Sequence, residues 1–203
     1  MATVKRTPYR LASRSGFAIR GEVNTAGAQD RRPAVLVFIG PEGRTDAAAK
    51  LVERLGRAGL TAISVEMVPD WSLDTLEPAA GAVGEFAGNL LEERHPGLAP
   101  PRALGLFGEG RHGLLAMAVA AREPRVSSLV TVDPESPDPV QKVRLAERLA
   151  GVGPRWLEVA GVEKFPPRGS SRGEFGGPSE VRRVSSETEI IDAAVEWFLA
   201  MLS

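Results

Sequence analysis

The sequence predicts an α/β fold in which a mainly parallel, twisted sheet carries helices on both faces and follows an N-terminal antiparallel hairpin. From residue 34 onward, apolar runs of strand length alternate with segments of helical periodicity. Such alternation is typical of a parallel sheet covered on both sides. Residues 9–23 instead alternate apolar and polar side chains around Ser15 and Gly16, which indicates a hairpin. The length of 203 residues fits one domain of this class, and we expect it to span 1–203.

The individual elements follow from the local pattern. The apolar run 34–39 lies between Pro33 and Gly40, as in a strand buried on both faces. Thr45 can cap the next helix and Gly59 can end it. The later predicted elements are a strand at 61–65, a helix at about 76–94 made irregular by three glycines, a strand at 103–107, a helix to about 122, a strand at 126–132, a helix at 139–150, a strand at 155–160, a mobile Gly-, Pro- and Ser-rich loop at 163–180, a short strand at 181–184 and a terminal helix. Ligands of such sheets bind at the carboxyl ends of the strands.

Composition excludes several classes of function. The chain has 25 Lys and Arg against 26 Asp and Glu, so no bulk field attracts nucleic acid or an anionic membrane. It has no cysteine, and its two histidines are His95, predicted in a surface loop, and His112. A disulfide, a thiolate nucleophile, a cysteine metal site and a multi-histidine metal site are therefore not expected. With no apolar stretch of signal-peptide or membrane-span length, we expect a cytoplasmic protein without metal or cofactor.

The stretch GLFGEGRHG, residues 105–113, joins a predicted strand to a predicted helix. Gly108, Gly110 and Gly113 match the dinucleotide-binding spacing G-x-G-x-x-G, and Asp133 stands where an acid would bind ribose. The same setting is that of the nucleophile elbow G-x-S-x-G, but its serine is replaced by Gly110. A hairpin and a β-α-β unit precede this turn, whereas the dinucleotide motif usually lies on the first strand of its domain.

The order of elements resembles the α/β-hydrolase fold, and specifically its small, lidless, dienelactone hydrolase-like branch. The residues that carry the resemblance are the strand into Ile39-Gly40, the strand Thr61-Ala-Ile-Ser-Val-Glu66, the elbow around Gly110, the Trp156 strand ending at Gly161, and the final helix with Trp197-Phe198. The resemblance implies a hydrolase of the esterase or lactonase class with a Ser or Cys at the elbow.

This chain departs from that pattern at each catalytic position. The elbow residue is Gly110, and glycine accepts the strained backbone at little steric cost. The resemblance places the acid at Lys164, with Glu163 one residue away and Asp133 at an alternative acid position. It places the histidine near 185–188, where the chain has none. The catalytic triad is therefore predicted to be lost.

The oxyanion site is also altered. One of its two donors, the backbone N–H of Arg111, is retained. The other falls at Pro41, which has no N–H, unless the alignment shifts by one residue to Glu42. Removing one such donor typically slows a hydrolase about 100- to 1,000-fold.

These observations predict an α/β-hydrolase-like pseudoenzyme that acts as a ligand-binding or protein-interaction module. One alternative is a hydrolase that uses relocated residues, and a second is a dinucleotide-binding protein. The candidate crevice residues share positions near the carboxyl ends of predicted strands: Pro41, Glu42, Glu66, Trp71, Glu109, Gly110, Arg111, His112 and Asp133. Arg111 and the helix N–H groups suit an anion, and a carboxylate pair suits acid–base chemistry. The sequence specifies no small-molecule or protein partner; self-association through Trp197, Phe198 and Met201 of the terminal helix is a further hypothesis.

Overall fold

A computed structural model describes residues 4–26, 31–40, 46–92, 99–134, 155–161 and 179–202. Its strands are β1 (Val4–Ala12), β2 (Ala18–Ala26), β3 (Ala34–Phe38), β4 (Thr61–Val68), β5 (Leu104–Glu109), β6 (Val126–Val132), β7 (Arg155–Gly161) and β8 (Ser179–Val184). Its helices are α1 (Asp46–Arg57), α2 (Leu76–Leu91), α3 (Arg111–Ala120) and α4 (Glu187–Leu202), with a short 3-10 turn at Leu73–Thr75.

All eight strands form one sheet in the order β1-β2-β4-β3-β5-β6-β7-β8. The hairpin β1–β2 is antiparallel and pairs with β4 in antiparallel fashion, while every other neighbouring pair is parallel. One apolar layer packs α2 and α3 against the sheet, and a second layer packs α1 and α4 against the opposite face. The predicted fold class, including the N-terminal hairpin, is confirmed.

Helix α2 corrects one expectation, because it is continuous through its three glycines. At Gly88 the space beside the helix is occupied by the turn after α3. An added Cβ would lie 3.2 Å from Arg125 Nη2 and 3.3 Å from Glu123 Oε2. Small residues on this face thus let the turn after α3 pack closely against α2. Each glycine costs a helix roughly 1 kcal/mol, and α2 forms despite that cost.

Several other boundaries differ from the pattern, three of them as follows. Strand β4 continues three residues past the predicted end, α2 ends at Leu91 rather than near 94, and β8 begins at Ser179 inside the predicted loop. Pairing with β2 extends β4, since Glu66, Met67 and Val68 all have partners there. The predicted helix at 139–150 and the loop at 163–178 lie outside the described residues.

The terminal helix α4 packs on the sheet with its aromatic face. Phe198 is fully buried and Trp197 nearly so. A side chain added at Gly105 of β5 would meet the Phe198 ring at 2.7 Å, so helix and sheet are in close contact. Trp197 and Phe198 therefore pack on the sheet, and self-association of the chain through the terminal helix stays a prediction. None of the helices in the described ranges is long and apolar enough to cross a membrane.

Candidate functional site

The turn between β5 and α3 has the backbone of a nucleophile elbow. Gly110 adopts φ 54° and ψ −124°, a conformation that costs most side-chain-bearing residues strain. Its N–H donates to Val132 O at 2.9 Å, and its carbonyl accepts from the N–H of Gly113 at 3.0 Å. Within the described ranges, a Cβ added at Gly110 would have no atom within 4 Å beyond its chain neighbours. The turn thus persists, and the described residues leave free the place where an elbow side chain would stand.

The flanking glycines are required by packing. A Cβ at Gly108 would lie 2.2 Å from His112 O, and one at Gly113 would lie 3.2 Å from Gly108 O. Both glycines therefore allow the first turn of α3 to fold back against the end of β5. The G-x-G-x-x-G spacing is explained by this close contact, without a pyrophosphate.

Trp71, Arg111 and His112 come together beside the elbow. Arg111 Nη1 donates to Trp71 O at 3.1 Å, and its Nη2 pairs with Asp70 Oδ2 at 2.6 Å. The guanidinium carbon lies 5.6 Å from the centroid of the Trp71 ring, within cation–π range. Because Asp70 and Arg111 are about one-third exposed, their ion pair contributes at most about 1 kcal/mol. These contacts hold the loop after β4 against the start of α3.

Trp71 is only 2% exposed. Its ring belongs to the apolar layer under α2 and α3. Its ring centroid is 6.0 Å from that of His112, in an edge-to-face arrangement. It therefore forms a wall behind the first turn of α3.

The His112 imidazole lies across the end of β3. A Cβ added at Gly40 would approach the imidazole Cε1 to 3.2 Å. Burial lowers the pKa of His112 from its usual 6.5 to about 4; the charge of Arg111 adds to this shift and that of Asp70 opposes it. The imidazole is therefore neutral at pH 7, and it makes no hydrogen bond to any residue in the described ranges. A neutral imidazole offers a ligand one donor and one acceptor.

The other predicted site residues that the structure describes are Glu66, which the hairpin engages, and Glu109 and Asp133, which flank the elbow. Arg20 of the hairpin binds the Glu66 carboxylate, with Nε 2.8 Å from Oε2, and so engages it away from the elbow. Glu109 is the exposed last residue of β5. Asp133 follows β6 with φ 40°, and its N–H donates to Val159 O at 3.0 Å. Pro41 and Glu42 lie outside the described residues.

Of the positions expected for the catalytic histidine and for an acid at Glu163 or Lys164, the structure describes only that of the histidine. Glu163 and Lys164 lie outside the described residues, as does His95. The turn after β8 is described, and there Ser185 Oγ donates to both Glu189 carboxylate oxygens at 3.0 Å. This turn carries no imidazole, and its serine is engaged in the start of α4.

Two site residues escaped the sequence analysis. Asp70 anchors Arg111, and Gly40 lies against His112. A signal for Asp70 was its place directly before Trp71 at the carboxyl end of β4. The contact of Gly40 had no local signal, since it depends on the neighbouring positions of β3 and β5 in the sheet.

Solved structures resemble the chain over nearly its full length. A dienelactone hydrolase from Anabaena variabilis has a TM-score of 0.77 at 14% identity, covering 98% of this chain and 99% of that one. A cold-adapted esterase from an Arctic intertidal metagenomic library has a TM-score of 0.76 at 13% identity, covering 98% and 95%. Est1E from Butyrivibrio proteoclasticus has a TM-score of 0.73 at 14% identity, covering 96% and 98%. No protein-family model and no curated protein sequence matches the chain. The fold is therefore that of the α/β-hydrolases.

The shifted pKa of His112 predicts how stability depends on pH. The unfolded chain takes up a proton at His112 near pH 6.5, whereas the folded chain does so only near pH 4. Folding is therefore weakened as the pH falls through this window. We expect the free energy of unfolding, measured by urea denaturation, to fall between pH 7 and pH 4.5 by about 2 kcal/mol more in the wild type than in His112→Gln. Equal losses in the two proteins would show that the folded imidazole titrates normally.

Proposed function

We propose that this protein binds a small carbonyl- or carboxylate-bearing ligand beside Gly110 and forms no covalent intermediate with it. The observation that carries the proposal is the elbow itself. Gly110 keeps the backbone that presents a nucleophile, and among the described residues only its chain neighbours come within 4 Å of the place of the side chain.

Hydrogen-bond donors at the elbow support binding. The backbone N–H groups of Arg111 and His112 open α3, and neither has an acceptor within the described ranges. Such N–H groups at a helix start favour a negative charge or a carbonyl oxygen. The guanidinium of Arg111 lies in the same turn and adds positive charge, although Asp70 offsets much of it.

The chemistry of the turn argues against an acyl-enzyme. Glycine has no oxygen or sulfur with which to attack a carbonyl. No imidazole follows β8, so a serine at the elbow would also lack its usual base. The site can thus bind an acyl compound but cannot form a covalent acyl-enzyme at Gly110.

Hydrolysis by relocated residues is a second candidate, and the comparisons favour it. The neighbours named above include a dienelactone hydrolase and an esterase. In this chain, water would attack the carbonyl directly while neutral His112 accepts a proton from it. Because the pKa of His112 is about 4, it is a weak base at pH 7, and we expect any such turnover to be slow.

Titration with benzoate, followed by amide resonances, tests the proposal. We expect the Gly110, Arg111 and His112 amides to shift in a saturable manner, while amides of the distant hairpin turn at Ser15 do not. NADH at the same concentrations is the matched control and should shift none of them. If benzoate leaves the elbow amides unmoved, the binding proposal is wrong. Saturable NADH shifts there would favour the dinucleotide alternative instead.

Phenyl acetate separates binding from hydrolysis. Turnover that His112→Gln abolishes, with no adduct on the protein, would establish the second candidate. Binding of benzoate without turnover of phenyl acetate would support the first candidate, a binding protein.

A further inference from the structure

The imidazole of His112 lies beside Gly40, at the edge of the sheet that carries the elbow. In a hydrolase elbow, one donor to the ligand oxygen is the N–H after the nucleophile, and the other comes from the loop after β3. Here the first is the N–H of Arg111. The first two residues after Gly40 are Pro41, which has no N–H, and Glu42, which has one.

His112 reaches that side of the site from α3. A Cβ added at Gly40, two residues after the end of β3, would lie 3.2 Å from the imidazole Cε1. In the sheet β3 lies directly beside β5, which carries the elbow. The imidazole thus lies between Gly40 and the first turn of α3.

Two ring N–H groups in this region have no partner in the described part of the chain. The Nε1 of Trp71 is fully buried and unpaired, and the ring of His112 makes no hydrogen bond. Leaving the buried Nε1 of Trp71 unpaired costs about 1–3 kcal/mol, whereas the His112 ring is only half-buried. Both rings contact each other, and the Trp71 ring also lies under Arg111. A hydrogen-bonding ligand or water accounts for donors of this kind.

We propose that the His112 side chain is the second donor to the ligand oxygen, beside the backbone N–H of Arg111. This inference rests on the proposed binding function and assigns the group that recognises the ligand. Burial and Arg111 keep the ring neutral, so it retains one N–H donor and carries no charge that would require a counter-ion. The ligand class follows: a carboxylate or ester whose oxygen accepts from the Arg111 N–H and from the imidazole together.

Benzoate titrations of His112→Phe and His112→Gln test the inference. Phenylalanine fills the space between Gly40 and Trp71 without an N–H, whereas glutamine keeps a donor. We expect the Kd for benzoate to rise about tenfold in His112→Phe and to stay within about threefold of the wild type in His112→Gln. In the wild type, the ring 15N resonances of His112 should move on binding, which a purely structural role would not produce.

The outcomes separate this inference from the proposal beneath it. If elbow amides shift equally in the wild type and in His112→Phe, with unmoved ring resonances, the ligand binds but His112 is not its donor. If no elbow amide shifts in the wild type, the binding proposal fails and the inference with it. If His112→Phe does not fold, Gly40→Ala is the variant to titrate with benzoate instead. Its Cβ must push the ring aside by a few tenths of an ångström, so we expect weaker benzoate binding, and unchanged binding would overturn the inference.

Discussion

Replacing Gly108 with alanine is expected to destabilise the protein by more than about 3 kcal/mol or to prevent folding. The new Cβ would lie 2.2 Å from His112 O and 2.7 Å from Gly113 N. Both are backbone atoms of the first turn of α3, so no side-chain rotation relieves the clash. Either α3 or the end of β5 must move, and both are packed in the core. Urea denaturation at pH 7 measures the loss.

Gly110→Ala is the matched control, two residues away in the same turn. Its Cβ meets no atom within 4 Å, and the cost is only backbone strain at φ 54°. We expect a loss of about 1–2 kcal/mol. Equal losses at the two positions would contradict the packing that we assign to Gly108, since strain alone would then account for both.

Installing a thiol at the elbow should restore reactivity without restoring the triad. The natural chain has no cysteine, so Gly110→Cys gives one thiol in the protein. The side chain has free space and stands at the start of α3, where the helix N-terminus stabilises a thiolate. We expect iodoacetamide to alkylate it at pH 7 about tenfold faster than a thiol of ordinary pKa.

Ser15→Cys, in the exposed hairpin turn, supplies that ordinary thiol in the same protein. Intact-mass spectrometry over time gives both rates. If the elbow cysteine reacts no faster than the hairpin cysteine, the first turn of α3 does not present its N–H groups to position 110, and the binding site that we propose loses its main support.

Much of the fold was predictable because strand-length apolar runs alternate with segments of helical periodicity. That alternation strongly restricts the possible strand directions and connections of the sheet. The run 34–39 was predicted as a buried strand from its lack of polar residues, and the run 126–132 was predicted with the bounds observed. Helix α2 was harder, because the effect of its glycines depends on Arg125 and Glu123, which lie far along the chain. Local propensity contains no such contact.

The candidate site was predictable in part for the same reason. Residues in or beside the turn, such as Gly110 and Arg111, were identified from the strand-to-helix junction. Glu66 was placed near the crevice because it lies near the end of a strand, but that strand also pairs with the hairpin, where Arg20 binds its carboxylate. Long-range pairing of this kind decides which end-of-strand residues share a site, and a single sequence does not specify it.

Exposure of the wild-type protein to an excess of a fluorophosphonate tests whether an elbow without an attacking atom still forms a covalent intermediate. Intact-mass spectrometry should show only the mass of the unmodified chain, while Gly110→Cys, treated in parallel with iodoacetamide, gains one adduct. A single phosphonyl group on the wild type, mapped to one side chain beside Gly110, would mean that another nucleophile has replaced the missing one.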